Sequence, residues 1–580
     1  MVLLIGSFAI YLTNWRTLGA GDTEPASLLP ISILTRRTVD LSEFAPIYKA
    51  SSENPTFLVR TEHGYFSTYP LAPGILAVPI YALPVFWIQA AHHPTAEEWY
   101  IFGVIVMDKI AGAIFTALSV YAFYFVCLAL GARGGTALIL SLAYAFGSEA
   151  WTTSSQALWM HGPGILFMLL SILLALKQAE NPDWKKALLL GICCGMCVTI
   201  RINNILFVAP LLGWVFLTER RSFFVLLVPV VLLIGLLFAY NHALFGRITG
   251  MYAMAFNEPV LDGIAGLLFS PGRGMAIYFP IGLFAGPGLW LAFREANPHR
   301  SLYLAFLIFL LTNLVLVAKW DAWYGGWSYG PRLLAETQPI LLLMAIPTCE
   351  VVFYNVGTMF WKVIFFLLLT WSVGVHGLGA YRQSEWNATP QDVNSARWRL
   401  WDWVDNPISR ALKAPMLQGG WPPFSVAWFL PVTELARVSG PNIPDWKGEK
   451  VFVEFGSGWY PIESIQEGLK IQTWRWSSAD AEIIVQNPQI APVKGHLHLK
   501  IGTYAPRHLT LTLNGALLWQ GEIQPKGVDI DSVEVALSSG SNKFVLQSNE
   551  PGIRPSGGND RLLVFYLEKF EISLQNTEVR

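Results

Sequence analysis

Long apolar runs fill the first two thirds of the chain, and short segments of alternating apolar and polar residues fill the last third. A near-continuous apolar run of spanning length reads as a membrane helix, whereas strict alternation reads as a half-buried strand. The run Val2–Leu12 and those near 102–130, 135–150, 158–176, 187–200, 202–218, 222–240, 275–293, 301–318, 332–348 and 359–380 therefore predict about eleven transmembrane helices. Val2–Leu12 lacks a basic leader and a small-residue cleavage site, so it is expected as a short first span and not as a cleaved signal. Leu71–Ala90 is also apolar, but Pro73, Pro79 and Pro84 should break a lipid-exposed helix there, which predicts a segment lying in the membrane interface. Beyond 451 the alternation predicts strands at His496–Ile501, Leu509–Leu513, Val533–Leu537, Lys543–Gln547 and Leu562–Ile572, with a hairpin turn at Asn514-Gly515. The expected fold is a polytopic all-α membrane domain (1–380), a Trp- and Pro-rich interfacial linker (381–450) and an all-β, jelly-roll-like sandwich (451–580).

Composition agrees with this division. Of 580 residues 53% are hydrophobic and 14% charged, with a mean hydropathy of +0.43, more apolar surface than one soluble core can hide. A net charge of -1 carries no basic surplus, and no nucleic-acid partner is expected. All five cysteines lie in apolar runs, which leaves the β-rich part without a thiol for a disulfide. Cys194-x-x-Cys197 has no second pair or histidine beside it and reads as small residues for helix packing. Basic residues cluster on alternate connections, at Arg133, at Lys177 with Lys185 and Lys186, at Arg220 with Arg221, and at Arg294 with Arg300. The positive-inside bias makes those loops cytoplasmic and turns the others outward: 14–101, the stretch around Trp151–Leu158, the turn near Arg201, 241–274, 319–331 and everything after 380.

The outward set holds the candidate chemistry. Gly21-Asp22-Thr23-Glu24 puts two carboxylates close to the membrane surface, where a partly desolvated acid suits removal of a hydroxyl proton, although Gly-Asp-Thr is also ordinary turn chemistry. Arg273 and Arg332 each stand at the start of an apolar run, an arrangement that favours phosphate through forked hydrogen bonds and exposed helix N–H groups. Between Lys319 and Arg332 the loop carries Asp321, Trp323, Gly325-Gly326, Trp327 and Ser328. An aromatic belt needs neither the paired glycines nor the polar residues, so a binding loop is the preferred reading. His161 lies near the outer end of a span, as a substrate contact or as a helix-capping residue, and Arg201 ranks below Arg273 and Arg332 as an anion ligand.

In the acidic residue directly after the first span (Gly21-Asp22), the Tyr69-Pro70 pair, the Trp- and Gly-rich loop ending Gly330-Pro331-Arg332 and the number of spans, residues 1–380 resemble the GT-C superfamily of glycosyltransferases. The resemblance implies an inverting transfer from a polyprenyl-phosphate sugar to an acceptor hydroxyl of a glycan, lipid or protein. Asp22 would be the catalytic base and Glu24 a second acid, although Thr23 separates the two where the common paired form has adjacent acids. Arg332, Arg273 and Lys319 would hold the donor phosphate, and Trp323, Trp327, Asp321, Tyr69 and His161 the sugar or acceptor. Members that use such donors generally work without a metal, so no essential metal or other cofactor is expected. The absence of cysteines from the outer part favours a bacterial or archaeal plasma membrane, with the site and the sandwich expected to be extracytoplasmic. The rival is a transporter or flippase of envelope glycan precursors. Such a protein would place charges near midspan, where Asp108 and Lys109 are the nearest case and read as interfacial. In the sandwich, Trp459, Trp474 and Trp476 could form a carbohydrate platform or fill the domain's own core.

Overall fold

The computed structural model describes the chain apart from residues 15–16, 46–56, 92–93, 95, 252–254, 296, 383–384, 388–390, 414–435, 440–451, 468–469, 488–491, 555–561 and 575–580. Much of the expected linker 381–450 lies outside the described residues. The chain divides into two compact units, one made of Met1–Pro30, Ser67–Ile80 and Val104–Gly419 and the other of Ile31–Phe66, Tyr81–Gly103 and Gly420–Arg580.

Among the described residues six helices are long and apolar enough to cross a membrane: Ala72–Ala90, Glu98–Ala129, His161–Glu180, Arg220–Phe245, Arg300–Lys319 and Met359–Tyr381. A seventh would be the pair Thr337–Met344 and Ile346–Tyr354, bent by 46°. The expected count of about eleven is not reached on these criteria, because other apolar runs fold as shorter or broken helices. Val2–Leu12, Gly134–Phe146 and Trp184–Ile200 are short, and the run 275–293 divides at Pro280 into Met275–Tyr278, a 3-10 turn and Ala285–Arg294. The prolines of the 72–91 segment do not break it: Ala72–Ala91 is one helix of 20 residues. Pro73 falls in its first turn, where a missing N–H costs nothing, and Pro79 and Pro84 each forfeit a single bond.

The long helices keep apolar faces outward. Arg220–Phe245 exposes Phe224, Val228, Val231, Leu232 and Leu236, and Met359–Tyr381 exposes Phe360, Trp361, Phe366, Leu367 and Trp371. Faces of this size suit a lipid solvent. Glycines set the inner contacts. A Cβ at Gly191 would lie 2.1 Å from the Leu226 carbonyl oxygen, so glycine there brings Trp184–Ile200 against Arg220–Phe245. Cys193, Cys194 and Cys197 are free, buried thiols on the same helix.

The C-terminal strands form two sheets. With β1 (Leu58–Thr61) and β2 (Gly64–Ser67) paired separately, these strands are β3 Ala436–Ser439, β4 Phe452–Phe455, β5 Trp459–Glu467, β6 Lys470–Ser477, β7 Ala481–Asn487, β8 Val493–Gly502, β9 Arg507–Leu513, β10 Ala516–Ile523, β11 Val528–Leu537, β12 Gly540–Ser548 and β13 Tyr566–Leu574, and the sheets run β10-β9-β12-β7-β4 and β11-β8-β13-β6-β5. Ala436–Ser439 joins the second sheet parallel to β13. The alternating residues Leu497, Leu499 and Ile501 of β8, Leu509, Leu511 and Leu513 of β9, and Phe570 and Ile572 of β13 fill one core. Asn514 and Gly515 both take positive φ, 50° and 84°, as the tight turn from β9 to β10 requires. Trp459 and Trp476 are buried and Trp474 is half-buried, so the first two serve the interior.

Candidate functional site

Antiparallel helices bring sequence-distant loops to one end of the helical unit. His161 starts helix His161–Glu180, Arg201 caps helix Trp184–Ile200, and Arg332 opens a 3-10 turn after helix Arg300–Lys319. A buried carboxylate aligns two of these loops. Asp108 accepts hydrogen bonds from Ser27 Oγ at 2.7 Å, from Thr23 Oγ1 at 3.3 Å and from the Leu158 backbone N–H, so it ties the segment after Asp22 to the segment before His161. Beside it Lys109 Nζ and Asn14 Nδ2 each donate to Gln156 Oε1 at 2.6 Å. Asp108 and Lys109 are thus fully buried in protein.

A cleft of about 830 Å³, its open mouth included, lies among these loops. Its wall contains Asp22, Tyr69, His161, Arg201, Asn241 and Arg332, together with Leu71, Met160, Leu237, Tyr240, Phe245 and Leu333. Arg332 Nη1 lies 2.8 Å from Asp22 Oδ2, with both side chains largely buried. The same guanidinium donates from Nη2 to the Gly325 carbonyl at 2.9 Å and lies over the Trp159 ring, 4.4 Å from its centroid. Gly325 takes a φ of +75°, a conformation that turns its carbonyl without strain. A second charged group stands alongside: Glu336 accepts from Arg201 Nη1 at 2.6 Å through Oε2 and pairs with His161 Nδ1 at 2.8 Å through Oε1.

Five residues picked out by sequence, Asp22, Tyr69, His161, Arg332 and the lower-ranked Arg201, therefore share one wall. The others lie elsewhere. Arg273 is fully buried and donates to the carbonyls of Tyr324, Gly272 and Gly326 and to Asn387 Oδ1, all at 2.8–2.9 Å, so its fork holds the 320s loop. Burial lowers its pKa to about 10, which leaves it charged at neutral pH. Trp323 is in the core with its ring where a Cβ on Gly266 would fall, and Trp327 donates to Asp392 Oδ2 at 3.0 Å. Asp321 accepts from the backbone and side chain of Asn257, and those bonds hold its carboxyl below the usual range. Lys319 ends its helix half-buried, and Glu24 begins helix Glu24–Arg36, where a carboxylate meets the positive end of the helix dipole. Neither lines the cleft. Among the described residues no group of three or more His, Cys, Asp or Glu is placed to hold a metal ion.

No protein-family model and no curated protein matches the chain. Among solved structures, the Podospora anserina GH26-CBM35 β-(1,4)-mannanase is similar over 23% of this chain and 28% of its own, at 12% identity and a TM-score of 0.16. A likeness of that extent speaks to neither fold nor function.

Sequence reasoning passed over Glu336 and ranked Arg201 low. A signal existed: Glu336 is the lone acid of the apolar run 332–348, and an ionisable residue in such a run calls for a partner.

Proposed function

We propose that the chain is an inverting glycosyltransferase that moves a sugar from a polyprenyl-phosphate donor to an acceptor hydroxyl at the outer face of a membrane. The observation that carries this reading is the Asp22–Arg332 pair, 2.8 Å apart on the wall of a cleft that also holds Tyr69, His161 and Arg201. An acid and a cation in contact are the two groups the chemistry needs, one for a hydroxyl proton and one for a departing phosphate.

In the unliganded protein Arg332 neutralises Asp22. A donor phosphate arriving at Arg332 would share that positive charge and release Asp22 to accept a hydrogen bond from the acceptor hydroxyl. Asp22 then takes the proton, the hydroxyl oxygen bonds to the anomeric carbon from the face opposite the phosphate, and the bond from that carbon to the phosphate oxygen breaks. The electron pair leaves with the polyprenyl phosphate, held by Arg332 and Arg201. Back-side attack inverts the anomeric centre. The lipid part of the donor has a natural place, because helix Arg220–Phe245 lends Leu237 and Tyr240 to the cleft and turns Phe224, Val228 and Leu232 outward.

The distribution of charge supports an outward site. His161, Arg201 and Arg332 sit at one set of helix ends, while Lys177, Lys185, Arg220 and Arg300 sit at the opposite ends of the same antiparallel series. A transporter reading gains nothing from the buried Asp108 and Lys109, since each is bonded to a loop that frames the cleft.

Offering the purified protein radiolabelled glucose, mannose, galactose or arabinose on polyprenyl phosphate, with membrane lipid extract as acceptor, tests the reading. Label should pass from one donor into a product of inverted anomeric configuration. Retention of configuration, or no transfer from any donor by well-folded protein, would count against it.

A further inference from the structure

The Glu336 carboxylate uses its two oxygens on two different cleft residues, and this division has chemical consequences. Arg201 Nη1 donates to Oε2 at 2.6 Å, and a carboxylate paired with a guanidinium is ionised and can only accept hydrogen bonds. The ring nitrogen His161 Nδ1, 2.8 Å from Oε1, must therefore carry a hydrogen. Arg201 Nη1 also approaches His161 Nδ1 at 3.5 Å, and a protonated Nδ1 cannot accept from it, which leaves that guanidinium edge committed to Glu336. A neutral His161 then has its lone pair on Nε2. All three side chains are buried, at 2% exposure for His161 and Glu336 and 8% for Arg201, and His161 and Arg201 line the cleft.

We propose that Glu336 is the positioning residue of this cleft, holding Arg201 for the anionic end of the bound substrate and fixing the His161 tautomer whose Nε2 accepts a hydrogen bond from a substrate hydroxyl. The inference rests on the glycosyltransferase reading and extends it. Arg201 and Arg332 attract an anion but do not distinguish one sugar from another. An Nε2 lone pair does, because a site built to bond a hydroxyl discriminates strongly against a substrate that lacks it. Trp159 links the two charged groups: its ring lies beneath the Arg332 guanidinium and 6.4 Å from the His161 ring centroid. His161 is thereby the hydroxyl-reading member of the wall, and Glu336 sets how it reads.

Kinetics of the full-length protein on the radiolabelled donor panel, with Glu336→Gln, His161→Gln and the double variant, test this. The glutamine oxygen can still accept from Arg201, but its NH2 group faces Nδ1 and drives the histidine hydrogen to Nε2. Turnover of Glu336→Gln should fall about 10- to 100-fold, as when a histidine loses its orienting carboxylate, with the donor KM within about threefold of wild type. Adding Glu336→Gln to His161→Gln should cost less than about twofold, because coupled residues do not add. Wild-type turnover in Glu336→Gln, equal losses in turnover, KM and thermal midpoint, or additive losses in the double variant would each overturn the proposal. Should Glu336→Gln fail to fold, His161→Gln against His161→Phe decides: glutamine can restore an acceptor near Nε2 and should retain at least about tenfold more turnover than phenylalanine, and equal rates would overturn it. An active wild type with an insensitive Glu336→Gln counts against Glu336 alone, whereas a wild type inactive on every donor counts against the enzyme reading itself.

Discussion

Two arginines at the starts of apolar runs look alike in the sequence, and their surroundings separate them. Arg332 has an acid and a cleft beside it, whereas Arg273 spends four donors on three carbonyls and Asn387. Lysine cannot reproduce that fork, so Arg273→Lys should destabilise the protein by about 2–4 kcal/mol and leave donor KM unchanged, as thermal unfolding and kinetics would show. A raised KM without loss of stability would instead place Arg273 against substrate. Residue types and their order along the chain made Asp22, His161 and Arg332 legible. Glu336 left a signal as the lone acid of its apolar run, but its partners, like the true place of Arg273, depend on which side chains the fold brings within 3 Å, and no local pattern encodes that.

At the scale of elements, periodicity carried the sandwich. The five strands expected from alternation all lie within or overlap strands of the structure, and Asn514-Gly515 turns between β9 and β10. Helix lengths were less legible, since hydropathy registers an apolar run but not the breaks that Pro280 and the bend at Ala345 introduce. Proline spacing misled in the opposite direction at Ala72–Ala91, which stays helical. Close helix packing depends on single glycines. Gly191→Ala would drive a methyl group into the Leu226 carbonyl and should cost about 1–3 kcal/mol, seen as a lower thermal midpoint with unchanged KM in what remains folded. A stable Gly191→Ala protein would mean that the two helices can separate freely.

Across the whole helical unit, the cleft is a product of topology. Residues 22, 69, 161, 201 and 332 meet because the helices that precede or follow them alternate in direction, and Lys177, Lys185, Arg220 and Arg300 lie at the other ends. On the proposed reading, the acid that faces Arg332 is the base and the arginine holds the departing phosphate, in a cleft walled partly by a helix long and apolar enough to cross a membrane. The most direct test compares sugar transfer by wild-type protein and Asp22→Asn from the same labelled donor. The substitution keeps shape and hydrogen bonds but removes the base, so transfer should fall by roughly 10²–10⁴ with the thermal midpoint nearly unchanged. Equal transfer by the two proteins would contradict the account.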